Sequence, residues 1–429
     1  MTGKINDLST IKRRVAKIFA IGMLGNLLGI ASNFILPPYF ISNLGEQRYG
    51  AWLYLFSIPL SLAMLDLGIS AAFSAEIYML HSQGDSPAAA KMFKQGIKFL
   101  TGLILVILLI LGIVSWIAGA RGGWSPEIVL SATILSVYVL TGFYSELLTA
   151  PYKIHGRYHI IQLAGLTSKV LEIFVLIYLI PSDNFVRMAF ALLLLRITYS
   201  IGIATYARKV AFDLFCGSWR NTVEIRHLYV PGLMYAINPL IAFISLQLPL
   251  IIIGSSLNLP AVVAYTTIRT LARLPVQVSS QISFSLQVEY TRMHFDGFPI
   301  RLVKIYRKSI IIISLIFLAW VIMGSIFGQP FYEFWLKRVE IDFQILFFMI
   351  IAEAFFESVM RNKIALSASI NKHKSDVLIY LSIVTVATLA MYISSLVADS
   401  LSVILIPSMA IYMLCASILI SKKSKQYLT

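Results

Sequence analysis

Long uninterrupted apolar stretches alternate with short polar and basic stretches along the whole chain. The clearest apolar stretches lie at 18–45, 99–120, 309–332, 377–398 and 400–421. Each reaches the ~20 residues that a helix needs to cross a hydrocarbon layer of ~30 Å. Weighing the remaining apolar runs against prolines, glycines and charged residues predicts twelve spans, at 16–42, 49–80, 95–120, 127–152, 158–181, 185–207, 229–254, 259–290, 305–329, 342–365, 375–397 and 401–421.

Composition supports this pattern. The chain is 58% hydrophobic and only 13% charged, whereas about half and about a quarter are usual in soluble domains. The expected fold class is an all-α polytopic membrane protein. The only two cysteines, Cys216 and Cys415, are far apart and offer neither a disulfide framework nor a metal-ligand spacing. We therefore expect no metal and no cofactor.

Basic residues are distributed unevenly between the predicted loops. If the N-terminus is inside, 26 of the 35 Lys and Arg residues lie in inner segments and 5 in outer ones. Basic loops mark the cytoplasmic side, so both termini are predicted to be cytoplasmic. The net charge of +15 then reflects topology and does not indicate nucleic-acid binding.

The middle of the chain predicts a division into two halves. A basic loop at 208–228 separates two sets of six spans, and its apolar residues, including Phe212, Leu214 and Phe215, suit the inner leaflet surface. Leu36-Pro37 and Leu248-Pro249 weakly echo each other in the two halves. The predicted domains are an N-terminal six-helix bundle at 1–207, a cytoplasmic amphipathic linker at 208–228 and a C-terminal six-helix bundle at 229–429.

Ionisable residues occur well inside the predicted spans. Exposing all of them to lipid would cost on the order of 20 kcal/mol at ~2.5–3.5 kcal/mol each, more than the stability of a fold. They must face one another or water, which indicates a transport path. The nine residues are Asp66, Glu146, Lys169, Glu172, Arg196, Arg269, Arg273, Glu353 and Glu357.

Arg269 and Arg273 are four residues apart in the eighth span, so their guanidinium groups are expected on one helix face. Such a fork suits bidentate contact with a pyrophosphate. The alternative is that they pair with Glu353 and Glu357 and hold helices together. Both arrangements can occur in different states.

Glu353, Glu357 and Arg361 repeat every four residues on the tenth span. Two carboxylates one turn apart in a low dielectric favour protonation of one of them, which makes Glu353 and Glu357 candidate proton carriers. A plain ion pair between Glu357 and Arg361 is the alternative.

The other charges at membrane depth are less specific. Lys169 and Glu172 are three residues apart and are expected to neutralise each other, whereas Arg196 needs an acid from another helix or an anionic ligand. Lys169 and Arg196 are further candidates for pyrophosphate binding. Asp66, a further coupling candidate, and Glu146 lie towards the inner ends of their spans. Four cations against five acids do not by themselves make a cationic chamber.

A short motif carries a family resemblance. The stretch LGEQRYGAW at 44–52, followed by LDLGI at 65–69, resembles the signature of Wzx-type polysaccharide flippases, in which an LG-x-x-x-YG-x-W turn joins the first two spans and a D-x-G marks the second. The matching residues are Gly45, Tyr49, Gly50, Trp52, Asp66 and Gly68. The glycines suit a tight turn and close helix packing.

The resemblance implies membership of the multidrug/oligosaccharidyl-lipid/polysaccharide (MOP) superfamily, with two six-helix bundles around a central cavity and alternating access. It implies a non-enzymatic flippase for undecaprenyl-pyrophosphate-linked oligosaccharides such as an O-antigen unit. Expected partners are membrane lipids and the polymerase and chain-length regulator of the same pathway. The motif does not reach the buried arginines, so their roles are not carried over.

Two other functions compete with this one. A multidrug or organic-cation exporter of the same superfamily would be expected to have an acidic, aromatic cavity, and mid-span arginines count against it. A membrane-embedded polymerase or glycosyltransferase needs large loops with catalytic groups, whereas the longest predicted outer loop, near 330–341, is short and lacks such a cluster.

Overall fold

A computed structural model of the chain describes residues 8–66, 68–120, 125–216, 225–295, 299–338, 340, 342–369 and 373–421. These residues form α-helices and short 3₁₀ and π turns, and no strand occurs among them. The predicted all-α polytopic fold is confirmed. Ten helices of the described chain are long and apolar enough to cross a membrane, so the protein is a multi-pass membrane protein.

Helices of the first part of the chain are α1 (Leu8–Leu62), α2 (Ile69–Ser82), α3 (Ser86–Ala120), α4 (Pro126–Leu147), α5 (Thr149–Ile154), α6 (Tyr158–Leu179), α7 (Phe185–Val210) and α8 (Phe212–Phe215). Those of the second part are α9 (Arg226–Leu246), α10 (Leu248–Ser256), α11 (Leu259–Ala272), α12 (Leu274–Phe295), α13 (Pro299–Met323), α14 (Gln329–Leu336), α15 (Phe343–Ser369), α16 (Lys374–Ser395) and α17 (Leu401–Ser421).

Two of the twelve predicted spans have no separate counterpart among these ten candidates of the described chain. The second begins inside α1, whose backbone leaves helical geometry at Gly45 (φ 75°, ψ 168°), and it breaks again before α2 at Gly68 (φ 65°). The eighth is divided between α11 and α12 at Arg273. These breaks reconcile the twelve predicted spans with the ten uninterrupted candidates.

Pro275 explains the break in the eighth span. Proline has no N–H, so the carbonyl four residues earlier loses its helical partner. That carbonyl belongs to Leu271, and it accepts a hydrogen bond from Nε1 of Trp320 on α13 at 3.1 Å. The bend is therefore compensated by a side chain, and it lies where Arg273 projects.

Contacts group the chain into two compact units. The first unit comprises Met1–Leu44 and Leu55–Pro239, and the second comprises Gly45–Tyr54 and Leu240–Thr429. The predicted six-helix division at 1–207, 208–228 and 229–429 stays a prediction. Most of the second half of that linker, residues 217–224, lies outside the described residues.

The described part of the linker, residues 208–216, packs partly against the first unit. Leu214 of α8 is fully buried, and the ring of Phe215 packs edge-on against Phe93 of α3 at 4.9 Å between centroids. Lys94 donates a hydrogen bond to the carbonyl of Cys216. Among the described large apolar residues of the linker, Phe212 is the most exposed, at 62%, and it suits a membrane surface.

The outer faces of the helices carry large apolar side chains. On α3, Leu109 and Trp116 are 67% and 75% exposed, and Tyr178 on α6 is 83% exposed. Such surfaces are unfavourable in water and are expected against lipid. In the second unit α15 is the most enclosed of the candidate spans in the described chain. It carries Glu353 and Glu357, so these carboxylates are removed from lipid.

Candidate functional site

The second unit contains a cluster of charges between the α11–α12 break and α15. The guanidinium of Arg273 forms an ion pair and a hydrogen bond with Oε2 of Glu357, and its Nη1 lies 3.5 Å from Oε1 of Glu353. Arg361 donates from Nε to the other oxygen of Glu357 at 2.8 Å. Glu357 is therefore held by two arginines, and its side chain is only 5% exposed.

Glu353 is held more loosely than Glu357. Its Oε1 and the Nη1 of Arg273 are both buried without a hydrogen-bond partner among the described residues, although they attract each other electrostatically. The structure thus brings Arg273, Glu353 and Glu357 together, as the pairing alternative expects. It also contains the i,i+4 bond between Glu357 and Arg361.

Arg269 points to a different partner. Its Nη1 donates to the carbonyl of Leu246 at 2.7 Å, where α9 ends, and its guanidinium lies over the ring of Tyr265 at 5.1 Å. The two arginines of the predicted fork are therefore engaged separately, one by a backbone carbonyl and one by carboxylates. Their contact with a pyrophosphate stays a prediction.

Sequence reasoning missed a row of small polar residues that continues this cluster between α12, α13 and α15. Ser279 donates to Ser358 at 2.8 Å, Ser283 donates to Asn362 at 3.5 Å, and Asn362 donates to Ser309 at 2.8 Å. The signal was present, because Ser279 and Ser283, like Ser358 and Asn362, are four residues apart. Such bonds join helices in an apolar environment.

The first unit contains a second cluster, on α4, α6 and α7. The guanidinium of Arg196 lies over the rings of Tyr138 and Tyr199, at 5.7 and 5.5 Å from their centroids. Arg196, Lys169 and the Tyr138 hydroxyl all act electrostatically on the carboxylate of Glu172. Arg196 thus has the acid from another helix that it needed, yet its buried Nε lacks a hydrogen-bond partner among the described residues.

The remaining two acids have local partners. Oδ1 of Asp66 accepts from the backbone N–H and the hydroxyl of Ser70, at 3.1 and 2.6 Å, and so satisfies an N–H group in the first turn of α2. Glu146 lies 3.7 Å from Lys153, in a half-exposed ion pair. With these two set aside, each cluster holds more cations than acids: Lys169 and Arg196 face Glu172, and Arg269, Arg273 and Arg361 face Glu353 and Glu357.

The family motif lies against the second unit. Gly45 forms the turn, and a Cβ atom at Gly50 would lie 2.2 Å from the carbonyl oxygen of Leu259, so only glycine allows this close approach. Tyr49 and Trp52 are buried. At Gly254 a Cβ atom would lie 2.3 Å from the ring of Tyr54. The motif residues at 45–52 therefore dock the turn onto α10 and α11.

An ion cluster fixes the same turn. Arg338 lies 2.9 Å from Glu46 and donates to Glu340 at 2.7 Å. Glu340 lies in the loop between α14 and α15. Burial raises the pKa of its carboxyl, while the neighbouring Arg338 guanidinium opposes that shift.

A histidine pair lies outside the spans in the first unit. The rings of His155, after α5, and His81, at the end of α2, are 6.2 Å apart. Burial lowers the pKa of His155 below its ordinary value of 6.5, Asp213 opposes this shift, and His81 and Arg157 add to it. No group of three His, Cys, Asp or Glu side chains suited to a metal ion occurs in the described part of the chain.

Architecture and clusters together define the class: an all-α membrane protein with clusters of charged groups along its spans. No family model and no curated protein matches the chain. Solved structures do match over nearly all of it. An inward-facing multidrug resistance MATE family transporter of the MOP superfamily has a TM-score of 0.72 at 15% identity, covering 94% of this chain and 96% of that one.

Two other solved structures widen the comparison. The lipid II flippase MurJ, in an inward closed conformation, has a TM-score of 0.67 at 13% identity, covering 94% of this chain and 86% of that one. A MOP superfamily transporter from Pyrococcus furiosus, described by a reverse polarity of its binding pocket, has a TM-score of 0.59 at 15% identity, covering 95% and 94%. The chain therefore has the fold of MOP-superfamily transporters.

Proposed function

We propose that this protein is a flippase that moves an undecaprenyl-pyrophosphate-linked oligosaccharide, such as an O-antigen unit, from the cytoplasmic to the periplasmic leaflet by alternating access. The observation that carries the proposal is the excess of arginine and lysine over carboxylate in each cluster, in which the exposed Lys169 and Arg361 are the surplus cations. A pyrophosphate is a compact anion whose oxygens match guanidinium donors. Placing charged side chains at membrane depth is costly, so their presence indicates that a function requires them.

The motif and the structural neighbours support the same proposal. The Gly45–Trp52 turn resembles that of polysaccharide flippases, and one structural neighbour is a flippase for lipid II, which suggests a lipid-linked cargo. In the same proposal the polymerase and chain-length regulator of the pathway are partners, and the membrane is the bacterial inner membrane with both termini cytoplasmic.

A multidrug exporter is the second candidate, because tyrosines surround the carboxylates of the second unit. Tyr265, Tyr380 and Tyr412 all lie close enough to Glu353 to interact with it electrostatically. Aromatic rings with a carboxylate would suit an organic cation. The excess of arginines in the same cluster opposes cation binding, so the anionic cargo is preferred.

A deletion strain tests the proposal. We expect undecaprenyl-linked repeat units to accumulate on the cytoplasmic leaflet and surface polymer to be lost. Complementation with Arg196→Gln or Arg273→Gln should fail although the protein inserts. Arg187→Gln on α7 and Arg307→Gln on α13 are matched controls, because both side chains are exposed. A normal surface polymer in a deletion strain without a redundant transporter would refute the flippase. A deletion strain that becomes sensitive to organic cations, and regains resistance on complementation, would favour the exporter.

The same proposal places proton coupling on Glu353. Glu357 accepts hydrogen bonds from two guanidinium groups, whereas Glu353 has an ion pair with Arg273 at 3.5 Å and an oxygen without a hydrogen-bond partner among the described residues. Glu353→Gln should abolish the dependence of transport on a pH gradient in proteoliposomes. An unchanged dependence would move the coupling to another group, with Asp66 the next candidate.

A further inference from the structure

Two glycines of the first unit lie directly against its two cations at membrane depth. A Cβ atom at Gly142 of α4 would lie 2.7 Å from Nη2 of Arg196, and one at Gly29 of α1 would lie 3.1 Å from Nζ of Lys169. Other glycines of this unit face open space, with no atom within 4 Å of such a Cβ: Gly22, Gly102 and Gly202. Gly142 and Gly29 therefore have a packing role that these three lack.

The guanidinium of Arg196 has little freedom to move away from Gly142. It lies between the rings of Tyr138 and Tyr199, and it belongs to the helix pair α4 and α7, which is closely packed. Its buried Nε has no hydrogen-bond partner among the described residues. Because no hydrogen bond fixes Nε, the contacts with the two tyrosine rings and with Gly142 set the orientation of the Arg196 guanidinium.

Lys169 also contacts a glycine, but its position is less constrained than that of Arg196. Its ammonium lies over Gly29, and a flexible four-carbon stem would let it shift by a few tenths of an ångström. Lys169 and Arg196 both act on Glu172, which compensates one of the two positive charges. One positive charge remains for a ligand, and the exposed Lys169 side chain is accessible to it.

We propose that Gly142 and Gly29 are positioning residues that seat Arg196 and Lys169 as one two-cation receptor for a pyrophosphate group. This inference rests on the proposed function and assigns the pyrophosphate of the lipid-linked cargo to the first unit. Gly142 sets the orientation of the guanidinium fork, and Gly29 sets the position of the ammonium. Alanine at either position would displace the cation without removing any charge.

Binding of inorganic pyrophosphate to the purified full-length protein in detergent micelles, measured by isothermal titration calorimetry at fixed ionic strength, tests the receptor. Gly142→Ala should weaken binding about 10-fold, the loss of one charge-assisted hydrogen bond. Gly29→Ala should weaken it about 3-fold, because Lys169 can adjust. Gly22→Ala, on the same helix as Gly29, and Gly102→Ala should match the parent protein.

A double-mutant cycle separates positioning from a general effect on the fold. In an Arg196→Gln background, Gly142→Ala should cause no further weakening, because the side chain that it displaces is gone. Equal weakening in both backgrounds, or parent-like affinity of the Gly142→Ala variant, overturns the proposal. If Gly142→Ala alone does not purify as folded protein, recovery of folding in the Gly142→Ala/Arg196→Gln variant supports the contact, and no recovery overturns it.

The receptor and the proposed function can fail separately. If the deletion strain keeps its polymer but pyrophosphate binding shows the coupling between Gly142 and Arg196, the flippase is refuted and the receptor stands. If the deletion abolishes export but the parent protein binds no pyrophosphate, or the cycle shows no coupling, the flippase stands and the receptor is refuted.

Discussion

Replacing Glu357 by Gln tests whether the charge cluster of the second unit holds that unit together. Glu357 accepts from Arg273 and from Arg361, the latter at 2.8 Å, and it is buried. Removing one partner of a buried, hydrogen-bonded ion pair costs about 3–5 kcal/mol. The glutamine oxygen can still accept one of the two bonds, so we expect a loss of about 2–4 kcal/mol in the free energy of unfolding.

The same substitution at Glu353 is the matched comparison. Glu353 lies on the same helix one turn earlier, but it is 3.5 Å from Arg273 and makes no hydrogen bond to it. Arg273 would keep Glu357 as its partner, and repulsion between the two carboxylates would disappear. We therefore expect Glu353→Gln to change the free energy of unfolding by less than about 1 kcal/mol.

Equilibrium unfolding in mixed micelles with increasing dodecyl sulfate, followed by helical circular dichroism, measures both losses. Asp399→Asn, in the exposed bend before α17, controls for the removal of a carboxylate as such. Equal losses for the two glutamate variants would show that the hydrogen bonds of Glu357 do not stabilise the unit. A larger loss of unfolding free energy for Glu353→Gln than for Glu357→Gln would show that Glu353 contributes more to the stability of the unit.

Three further predictions follow from other contacts. Gly50→Ala should destabilise the protein by about 1–3 kcal/mol through overpacking against a backbone carbonyl, whereas Gly102→Ala should not; equal thermal midpoints would contradict this. Asp66→Asn should keep stability, because the Asn oxygen can accept the same bonds from Ser70, whereas Asp66→Ala should lose about 1 kcal/mol with those bonds. If the Asn variant loses the dependence of transport on the pH gradient, Asp66 carries the coupled proton. His155 has a lowered pKa in the fold, so its contribution to stability is present above about 6.5 and lost as the pH falls towards and through the folded value. His155→Gln should reduce the dependence of the thermal midpoint on pH between pH 7 and 5. An unchanged dependence would show that His155 does not cause it.

The architecture followed from hydropathy because lipid imposes a simple rule: backbone groups must pair inside each span. The break at Arg273 was also readable, since Pro275 removes a helical hydrogen bond. It was overlooked because a single proline lowers the mean hydropathy of a long apolar run only slightly. The bond from Trp320 that compensates the bend joins residues distant in sequence, and no local pattern predicts it.

Of the nine charged residues at predicted membrane depth, Glu357 is buried, whereas Lys169 and Glu146 are exposed, and their partners were only partly predictable. The pairing of Arg273 with Glu353 and Glu357 was an open alternative, because helical spacing fixes a face and not the neighbour that the face meets. The divergence of Arg269 towards the carbonyl of Leu246 depends on where α9 ends. Gly50 was expected to serve a turn, whereas its contact with Leu259 is a long-range approach that only three-dimensional packing reveals.

The ten residues from Gly45 to Tyr54 have a consequence for biosynthesis. They pack with the second unit, although the chain on both sides of them belongs to the first. Their contact at Leu259 is synthesised about 200 residues later. The turn is therefore made long before its docking surface exists, and it must stay unpacked while the rest of the first half enters the membrane. A protein cut within 208–228 would leave this turn on the wrong fragment, so the two pieces should assemble only when they are produced together.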